Sequence, residues 1–204
     1  MPQIKKITKL TDNRFLNLYH LDAKNRVGGQ VNYYVASRAK SIAGMKLSTR
    51  QNPPDGVAVY ALWGDRRDKV LLIRQYRYSI DDYIYEFPAG LVDEGEDWRS
   101  AAVREIHEET GFTLHPLQTD EMYMRPYFTT IGMSDESVAM VYGYVDGESS
   151  LAYLEDDEEL EVVLADRAEV RRILKEERVA VQCAYMLMHF LADEDPFAFL
   201  EVKL

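Results

Sequence analysis

One stretch, "GLVDEGEDWRSAAVREIHEETGF" at residues 90–112, constrains the fold of this chain more than any other. No Gly or Pro occurs from Trp98 to Thr110. Gly111 follows at the position where a left-handed residue commonly ends a helix. The stretch therefore predicts an irregular loop, then a helix over residues 98–110, then a second turn.

The predicted helix has two unlike sides, because residues three and four apart are neighbours on a helical surface. Like charges at this spacing destabilise a helix by a few tenths of a kcal/mol per pair, and the helix dipole opposes carboxylates near the C-terminal end. Arg104 can offset part of this repulsion by reaching Glu108. One side is expected to carry Ala102, Val103, Ile106 and Thr110, and the other Ala101, Glu105, Glu108 and Glu109.

Two explanations of the crowded carboxylates are open. They are either solvated on an exposed helix or gathered to bind a cation. The loop before the helix, "PAGLVDEGE", adds further oxygen ligands. Hard cations such as Mg²⁺ take carboxylates, water and substrate phosphate as ligands. Because no paired His and Cys spacing in the stretch suits zinc, the pattern favours a magnesium-type site.

The composition is that of a globular protein and limits the class of partner. The 204 residues are 47% hydrophobic and 29% charged, with a formal net charge of -11. Such a charge opposes binding to nucleic acid or to an anionic membrane. The N-terminus lacks the apolar core of a signal peptide, and no run is long enough for a membrane span, so a cytoplasmic location is expected. Cys183 lies in an apolar run and is expected to be buried.

The patterning differs between two regions. Residues 1–50 alternate polar and apolar side chains and predict a small antiparallel sheet, and the turn-rich "STRQNPPDG" separates them from residues 51–204. The second region carries helical patterns at about 167–176 and 180–193. Strands interspersed with helices indicate an α+β fold with a mixed sheet between helices. The strands of the second region are predicted at "GVAVYAL", "KVLLIRQYR", "DYIYEF", "SVAMVYGYV" and "LEVVLAD".

Residues 90–112 resemble the Nudix box at every defining position. Gly90 is followed after five residues by Glu96, and after seven more by "REIHEETGF" at residues 104–112. On these residues the chain is identified as a member of the Nudix hydrolases. The resemblance implies a Nudix-type α/β/α sandwich with a mixed sheet, here preceded by the small N-terminal antiparallel sheet. It also implies a loop–helix–loop that binds two or three Mg²⁺ or Mn²⁺ ions and hydrolyses a nucleoside diphosphate linked to another moiety.

The same resemblance assigns roles within the box. Arg104 is expected to orient the carboxylates by hydrogen bonding, and Glu96 to support the loop. Gly90 and Gly111 are expected to permit backbone turns. Glu105, Glu109 and Arg104 are the implied catalytic residues of the helix. The implied metal ligands are the carbonyl of Ala89 and the carboxylates of Glu105, Glu108, Glu109 and Glu158.

Around the box, about residues 30–175 are similar to the ADP-ribose and ADP-sugar pyrophosphatases. The stretch "RQYRYSIDDYIYEFPAGLVDEGE" carries much of this similarity. It implies that Tyr33 stacks on adenine, although an ordinary strand position is the alternative for this residue. Ile131 stands where these enzymes usually carry Pro, which leaves the choice of nucleotide sugar open. The other implied substrate contacts are Arg38, Arg77, which would meet phosphate, Leu91, Gly132 and Glu136.

The acidic loop "LEDDEELEVV" resembles the segment of these enzymes that supplies a general base and a further metal ligand. The match places the ligand at Glu158 and the base at Asp156, with Glu155 as the second candidate. A carboxylate suffices as the base, because bound metal lowers the pKa of the attacking water. A solvated acidic loop is the alternative, and the choice among the acids of residues 155–159 is open at this stage.

The predicted reaction is hydrolysis of the pyrophosphate bond of ADP-ribose or another ADP-sugar to AMP and a sugar phosphate. The alternatives are hydrolysis of another nucleotide, such as GDP-mannose, a UDP-sugar or a dNTP, and a sensor that binds nucleotide sugars without cleaving them. The resemblance implies a homodimer through the N-terminal sheet, residues 1–50, which would take part in dimerisation and base recognition. This dimer would bring Tyr33 or Arg38 to the partner's site. Neither nucleic acid nor a membrane is expected as a partner.

Overall fold

The computed structural model describes residues 1–64, 66–154 and 158–200, which form an α+β fold. Within those ranges, no helix combines the length and the apolar content needed to cross a lipid bilayer. The strands are β1 (Gln3–Lys9), β2 (Asn17–Lys24), β3 (Gln30–Ser37), β4 (Gly56–Trp63), β5 (Lys69–Arg77), β6 (Asp82–Glu86), β7 (Ala89–Leu91), β8 (Thr113–Pro116), β9 (Tyr127–Phe128), β10 (Ser137–Asp146) and β11 (Leu160–Ala165). The helices are α1 (Lys46–Thr49), α2 (Trp98–Thr110), α3 (Glu121–Met124), α4 (Arg167–Glu176) and α5 (Val181–Ala192).

The chain divides into two compact units. The first comprises Met1–Asp55 and Pro126–Val138, and the second comprises Gly56–Arg125 and Ala139–Leu204. Strand β10 begins in the first unit and continues into the second. The roles expected for residues 1–50 and 51–204 stay predictions.

The first unit is built on a three-stranded antiparallel sheet in the order β1–β2–β3. A tight turn joins β2 to β3, in which the side chain of Asn25 accepts hydrogen bonds from the backbone N–H groups of Val27 and Gly29. This sheet confirms the N-terminal antiparallel sheet predicted from the alternating pattern. Its core is small and consists of the buried residues Tyr19, Leu21, Val35 and Met45.

The second unit is a mixed sheet with helices on both faces. Its strand order is β11–β5–β4–β10–β8, with β6 paired to β5 and β7 paired to β4. Successive side chains of a strand point to opposite faces, so β4 contributes to two cores. Val57, Val59 and Ala61 pack with α2, whereas Tyr60 and Leu62 pack with α4 and α5. The sandwich predicted from the sequence is confirmed.

The two C-terminal helices lie where the sequence predicts them. Asp166 caps α4 by accepting hydrogen bonds from the backbone N–H groups of Ala168 and Glu169. Cys183 is fully buried in α5, as expected from its apolar surroundings. These helices cover the face of the sheet opposite α2. Among the long helices of the described residues, only the carboxylate-bearing helix α2 packs on the other face.

Candidate active site

Helix α2 begins and ends where the sequence predicts. Asp97 caps its N-terminus by accepting hydrogen bonds from the backbone N–H groups of Arg99 and Ser100. Gly111 ends it with φ of 76°, in the left-handed region. A Cβ at Gly111 would lie 2.5 Å from the backbone nitrogen of Ser150, so both the conformation and the space exclude a side chain.

The sides of α2 differ from the expectation at three residues. Val103, expected on the apolar side, is 39% exposed, whereas Ala101, expected among the carboxylates, is fully buried. Successive residues of a helix are about 100° apart, so the apolar stripe of Ala102 and Ile106 has Val103 on one side and Ala101 on the other. The sequence alone does not show which of these two neighbours packs against the sheet. The sheet packs against the Ala101 side, and Glu109 therefore lies on the buried side of the helix.

Arg104 connects the carboxylates of the box to the preceding loop. Its Nη1 donates to Glu105 at 2.8 Å and to Glu108 at 2.9 Å. Its Nε and Nη2 donate to the two oxygens of Glu96 at 3.1 and 3.0 Å, and Nη2 also donates to the Leu91 carbonyl at 3.0 Å. The guanidinium lowers the pKa of Glu96, and the bond to Glu96 raises the pKa of Arg104. One cation thus holds three carboxylates in fixed positions.

Gly90 has a different role from the turn expected of it. It lies in β7, paired with Val57 of β4, and its φ is not in the left-handed region. A Cβ at this position would lie 1.9 Å from the carboxyl carbon of Glu105. Gly90 therefore leaves the space in which the Glu105 carboxylate rests directly against the backbone of β7. The sequence marked Gly90 as a position with a special backbone requirement, but it did not show that this requirement is the close approach of Glu105.

Glu109 is the most unusual carboxylate of the helix. Its residue is 1% exposed, and its Oε2 accepts a hydrogen bond from the backbone N–H of Ala89 at 3.0 Å. Burial, followed by the charges of Glu105 and Glu158, raises the pKa of Glu109 well above its ordinary value of 4.5. Within residues 1–64, 66–154 and 158–200, no Lys or Arg forms an ion pair with it. A buried carboxylate facing two like charges is costly without a compensating cation.

The acidic segment before β11 contributes one carboxylate to this group. Glu158 lies near enough for its charge to raise the pKa of both Glu105 and Glu109. For Glu105, burial is the larger cause of the upward pKa shift, and the bond from Arg104 opposes it. The predicted base candidates Asp156 and Glu155 lie outside the described residues.

The donors present fit a hard divalent cation in chemistry. Glu105, Glu109 and Glu158 offer carboxylate oxygens, and the buried, uncompensated Glu109 is what a cation would stabilise. In the part of the chain that the structure describes, however, no three His, Cys, Asp or Glu side chains already converge as metal ligands. Arg104 occupies Oε1 of Glu105 and Oε2 of Glu108 in this arrangement.

Three further residues implied by the resemblance lie near α2 or its loop. Ala89 is joined to Glu109 by the hydrogen bond described above. Leu91 is 41% exposed, and its carbonyl accepts from Arg104. Arg77, at the end of β5, donates from Nε to Glu86 at 2.6 Å, and its charge acts to lower the pKa of Glu109.

Four other predicted substrate residues occur as two bonded pairs in the first unit. The hydroxyl of Tyr33 donates to the carbonyl of Gly132 at 2.7 Å. The guanidinium of Arg38 forms an ion pair with Glu136 at 2.7 Å. The loop that carries Gly132 and Glu136 is also fastened to β3 by backbone hydrogen bonds between Ala36 and both Met133 and Asp135. The sequence assigned these residues one by one and did not predict that they are bonded in pairs.

Comparison with known proteins places the chain in a family. Residues 52–184 match the family model of the NUDIX domain. The chain therefore belongs to the Nudix family, as the box indicated. The matched range contains both the loop–helix–loop and the segment that carries Glu158.

Several named proteins are similar in sequence. The methanol dehydrogenase activator of Bacillus methanolicus is 30% identical over 62% of this chain and 65% of its own length. The ADP-ribose pyrophosphatase of Bacillus subtilis is 32% identical over 53% of this chain and 52% of its own length. That of Saccharomyces cerevisiae is 30% identical over 52% of this chain and 48% of its own length. The chain thus spans between about half and two thirds of these relatives.

A solved structure supports the fold over nearly the full chain. The crystal structure of an ADP compounds hydrolase matches with a TM-score of 0.68 and covers 96% of each chain. The two sequences are 20% identical in this alignment. At that identity the match confirms the α+β Nudix fold and carries no conclusion about the substrate.

Arg104→Lys is expected to lower turnover by about 10- to 100-fold, the range found when groups that orient metal ligands are changed. Lys keeps the charge but loses the planar set of donors that reaches Glu96, Glu105 and Glu108 together. Steady-state rates measured over a range of Mg²⁺ concentrations test this. Arg171→Lys, an exposed change on α4, is the matched control and should leave turnover unchanged. Equal rates for the two variants would contradict the role given to Arg104.

Proposed function

We propose that this chain hydrolyses the pyrophosphate bond of a nucleoside diphosphate sugar, with ADP-ribose or another ADP-sugar as the favoured substrate. The products would be AMP and a sugar phosphate. The observation that carries the proposal is the buried Glu109 beside Glu105 and Glu158 on a Nudix loop–helix–loop. The adenine preference is supported by relatives named as ADP-ribose pyrophosphatases.

Glu105, Glu109 and Glu158, with the Ala89 carbonyl, are the residues that would hold Mg²⁺ or Mn²⁺, and Glu108 is a further ligand. Such ions supply charge neutralisation of the pyrophosphate and a lowered pKa of the attacking water. The role of Arg104 is to keep Glu105 and Glu108 oriented, because it already bonds to both. Arg77 is assigned to substrate phosphate, since its guanidinium presents further donors beyond the one bonded to Glu86.

The general base is assigned to the acidic segment, with Asp156 first and Glu155 second, as the family resemblance implies. A carboxylate is a weak base, and its use here requires a water whose pKa is already low. The proton would pass to that carboxylate as the water attacks phosphorus in line with the leaving oxygen. Asp156→Asn and Glu155→Gln distinguish the two assignments, because the base variant should lose more turnover.

A substrate panel tests the proposed function. ADP-ribose, ADP-glucose, GDP-mannose, UDP-glucose, diadenosine polyphosphates and dNTPs are supplied with Mg²⁺ or Mn²⁺, and the products are identified. AMP with a sugar phosphate as the preferred products would support the proposal. Preferred cleavage of GDP-mannose, a UDP-sugar or a dNTP would show that the proposed substrate is wrong, while hydrolysis of a pyrophosphate bond would still be supported. Ligand-dependent thermal stabilisation without any product would instead indicate a nucleotide-sugar sensor.

Tyr33→Ala is expected to raise KM for an ADP-sugar with kcat little changed. Loss of one stacked base contact costs about 1 to 3 kcal/mol, which corresponds to roughly 5- to 150-fold. Tyr33→Phe is the matched control, because it keeps the ring and removes only the hydroxyl that bonds to the Gly132 carbonyl. A KM unaffected by Tyr33→Ala would show that Tyr33 is an ordinary strand residue.

A further inference from the structure

Strands β5 and β11 present different side chains to the two faces of their sheet. Val162 and Leu164 of β11 pack into the core beside α2, whereas Val163 and Ala165 pack into the core beside α4 and α5. The extended chain continues before β11, since the backbone N–H of Tyr76 donates to the carbonyl of Glu159 at 2.9 Å. Because strand side chains alternate with a period of two, Glu158 therefore lies on the same face as Val162 and Leu164, which is the face beside α2.

The opposite face carries the neighbouring acids, and each has a partner there. The hydroxyl of Tyr83, in β6, donates to the carboxylate of Glu159. Arg74 of β5 forms an ion pair with Glu161 at 3.4 Å. The Arg74 guanidinium also lies 4.2 Å from the centre of the Tyr83 ring, so these four side chains form one cluster. We call Arg74, Tyr83, Glu159 and Glu161 the far-face cluster.

We infer that Tyr83 is a positioning residue that holds Glu159 on the far face and thereby directs Glu158 toward Glu105 and Glu109. The inference rests on the proposed function for its effect on catalysis. Glu158 and Glu159 are adjacent, so their side chains point to opposite faces of the strand, and a Glu159 carboxylate held on the far face favours the orientation that turns Glu158 toward α2. The effect of Glu158 on the pKa of Glu105 and Glu109 is consistent with this direction.

The far-face cluster also separates the roles of the described acids. Glu159 is a structural anchor, because its carboxylate is already engaged on the side of the sheet away from α2. Glu161 is likewise engaged by Arg74. Of the three acids from Glu158 to Glu161, Glu158 alone is directed to the metal-binding carboxylates. Glu159 was one of the acids of residues 155–159 left open by the sequence, but its bond to Tyr83 was not predicted, because the two residues are far apart in the chain.

Tyr83→Phe tests the inference, since it removes the hydroxyl and keeps the ring beneath Arg74. Mn²⁺ binding, measured by electron paramagnetic resonance without substrate, should weaken by about tenfold, as found for groups that orient metal ligands. With an ADP-sugar, kcat should fall by a similar factor of about ten, and KM should stay within about twofold. Glu159→Gln should reproduce both changes. The double variant should have a Mn²⁺ affinity and a kcat within about twofold of those of Glu159→Gln alone, because both substitutions remove the same interaction.

Tyr76→Phe is the matched control. Tyr76 faces Tyr83 across the two strands with ring centres 5.6 Å apart, but its hydroxyl donates to Asp81 in the adjoining turn. The Tyr76→Phe variant should have unchanged Mn²⁺ affinity and kcat, and its melting temperature should be similar to that of Tyr83→Phe. Unchanged Mn²⁺ affinity in Tyr83→Phe, or an equal loss in Tyr76→Phe, would overturn the inference. If the unmodified chain binds Mn²⁺ but cleaves no ADP-sugar, the proposed substrate fails, while the Mn²⁺ measurements still decide the role of Tyr83.

Discussion

Glu109→Gln is expected to lower turnover by about a thousandfold or more, because a ligand to catalytic metal supplies several kcal/mol of transition-state stabilisation. Gln keeps the shape of the side chain and an oxygen that can still accept from the Ala89 backbone N–H. It removes the negative charge on which the proposed cation binding would depend. Turnover of an ADP-sugar at saturating Mg²⁺, together with Mn²⁺ affinity, measures the effect. Wild-type turnover in this variant would refute the ligand role of Glu109.

The same substitution is expected to stabilise the metal-free protein at neutral pH. Burial and the charges of Glu105 and Glu158 raise the pKa of Glu109 above its unfolded value, near 4.5. A raised pKa means that the folded state favours the protonated carboxyl, so the stabilisation is complete below pH 4.5 and is lost as pH rises through the folded pKa. Ionised Glu109 therefore opposes folding at high pH, whereas the side-chain amide of the Glu109→Gln variant does not titrate.

Thermal melts with chelator at several pH values test this sign. The difference in melting temperature between Glu109→Gln and the unmodified chain should grow as pH rises above 4.5 and should level off above the folded pKa of Glu109. Excess Mg²⁺ should reduce that difference, because the ion stabilises only the folded form that binds it. A variant less stable than the unmodified chain at every pH would show that burial of Glu109 is not costly. Loss of activity with gain of stability would separate a functional carboxylate from a structural one.

Gly90→Ala is the second change expected to have a large effect. A methyl group there would lie 1.9 Å from the carboxyl carbon of Glu105, so that carboxylate must move by about an ångström or more. Misplacement of a catalytic group by about 1 Å costs on the order of a hundredfold in rate. The strand itself accepts Ala, because Gly90 does not adopt a left-handed conformation. Turnover should therefore fall by about a hundredfold while the circular dichroism spectrum is retained.

Two controls make the Gly90 result specific. Gly44→Ala introduces the same methyl group where the nearest atom is 3.7 Å away, and it should be neutral. In a chain that already carries Glu105→Ala, adding Gly90→Ala should cause little further loss, because the carboxylate it displaces is absent. If the two losses multiply instead, Gly90 acts through something other than the position of Glu105.

Local features of the site were readable from the sequence. The absence of Gly and Pro from Trp98 to Thr110, with Gly111 after it, gave the bounds of α2 because capping and helix termination depend on neighbouring residues. The reach of Arg104 to Glu108 followed from helical spacing and is confirmed at 2.9 Å. Val103 was wrongly expected on the buried side of α2, because the side of a helix that packs against a sheet depends on the sheet and not on neighbouring residues.

Contacts between distant parts of the chain were not readable. The family resemblance assigned roles to Glu109 and Glu158, but residue type and spacing alone did not show that Glu109 is buried while Glu108 is half-exposed. The close approach of Glu105 to Gly90 requires β7 and α2 to be folded together, and the bond from Tyr83 to Glu159 requires β6 to lie beside β5 and β5 beside β11. Each of these depends on the register of strands and the docking of a helix.

The amino-acid sequence by itself determined the family, the α+β class, the limits of the long helices and the oxygen chemistry of the candidate metal site. These follow from residue type and short-range periodicity, which each segment carries regardless of its neighbours. Only the tertiary structure decided that Arg104 also binds Glu96 of the preceding loop and that Glu109 is left buried without an ion pair in the described chain. The physical reason is that burial and charge compensation are properties of packed surfaces, which form only when segments distant in sequence meet.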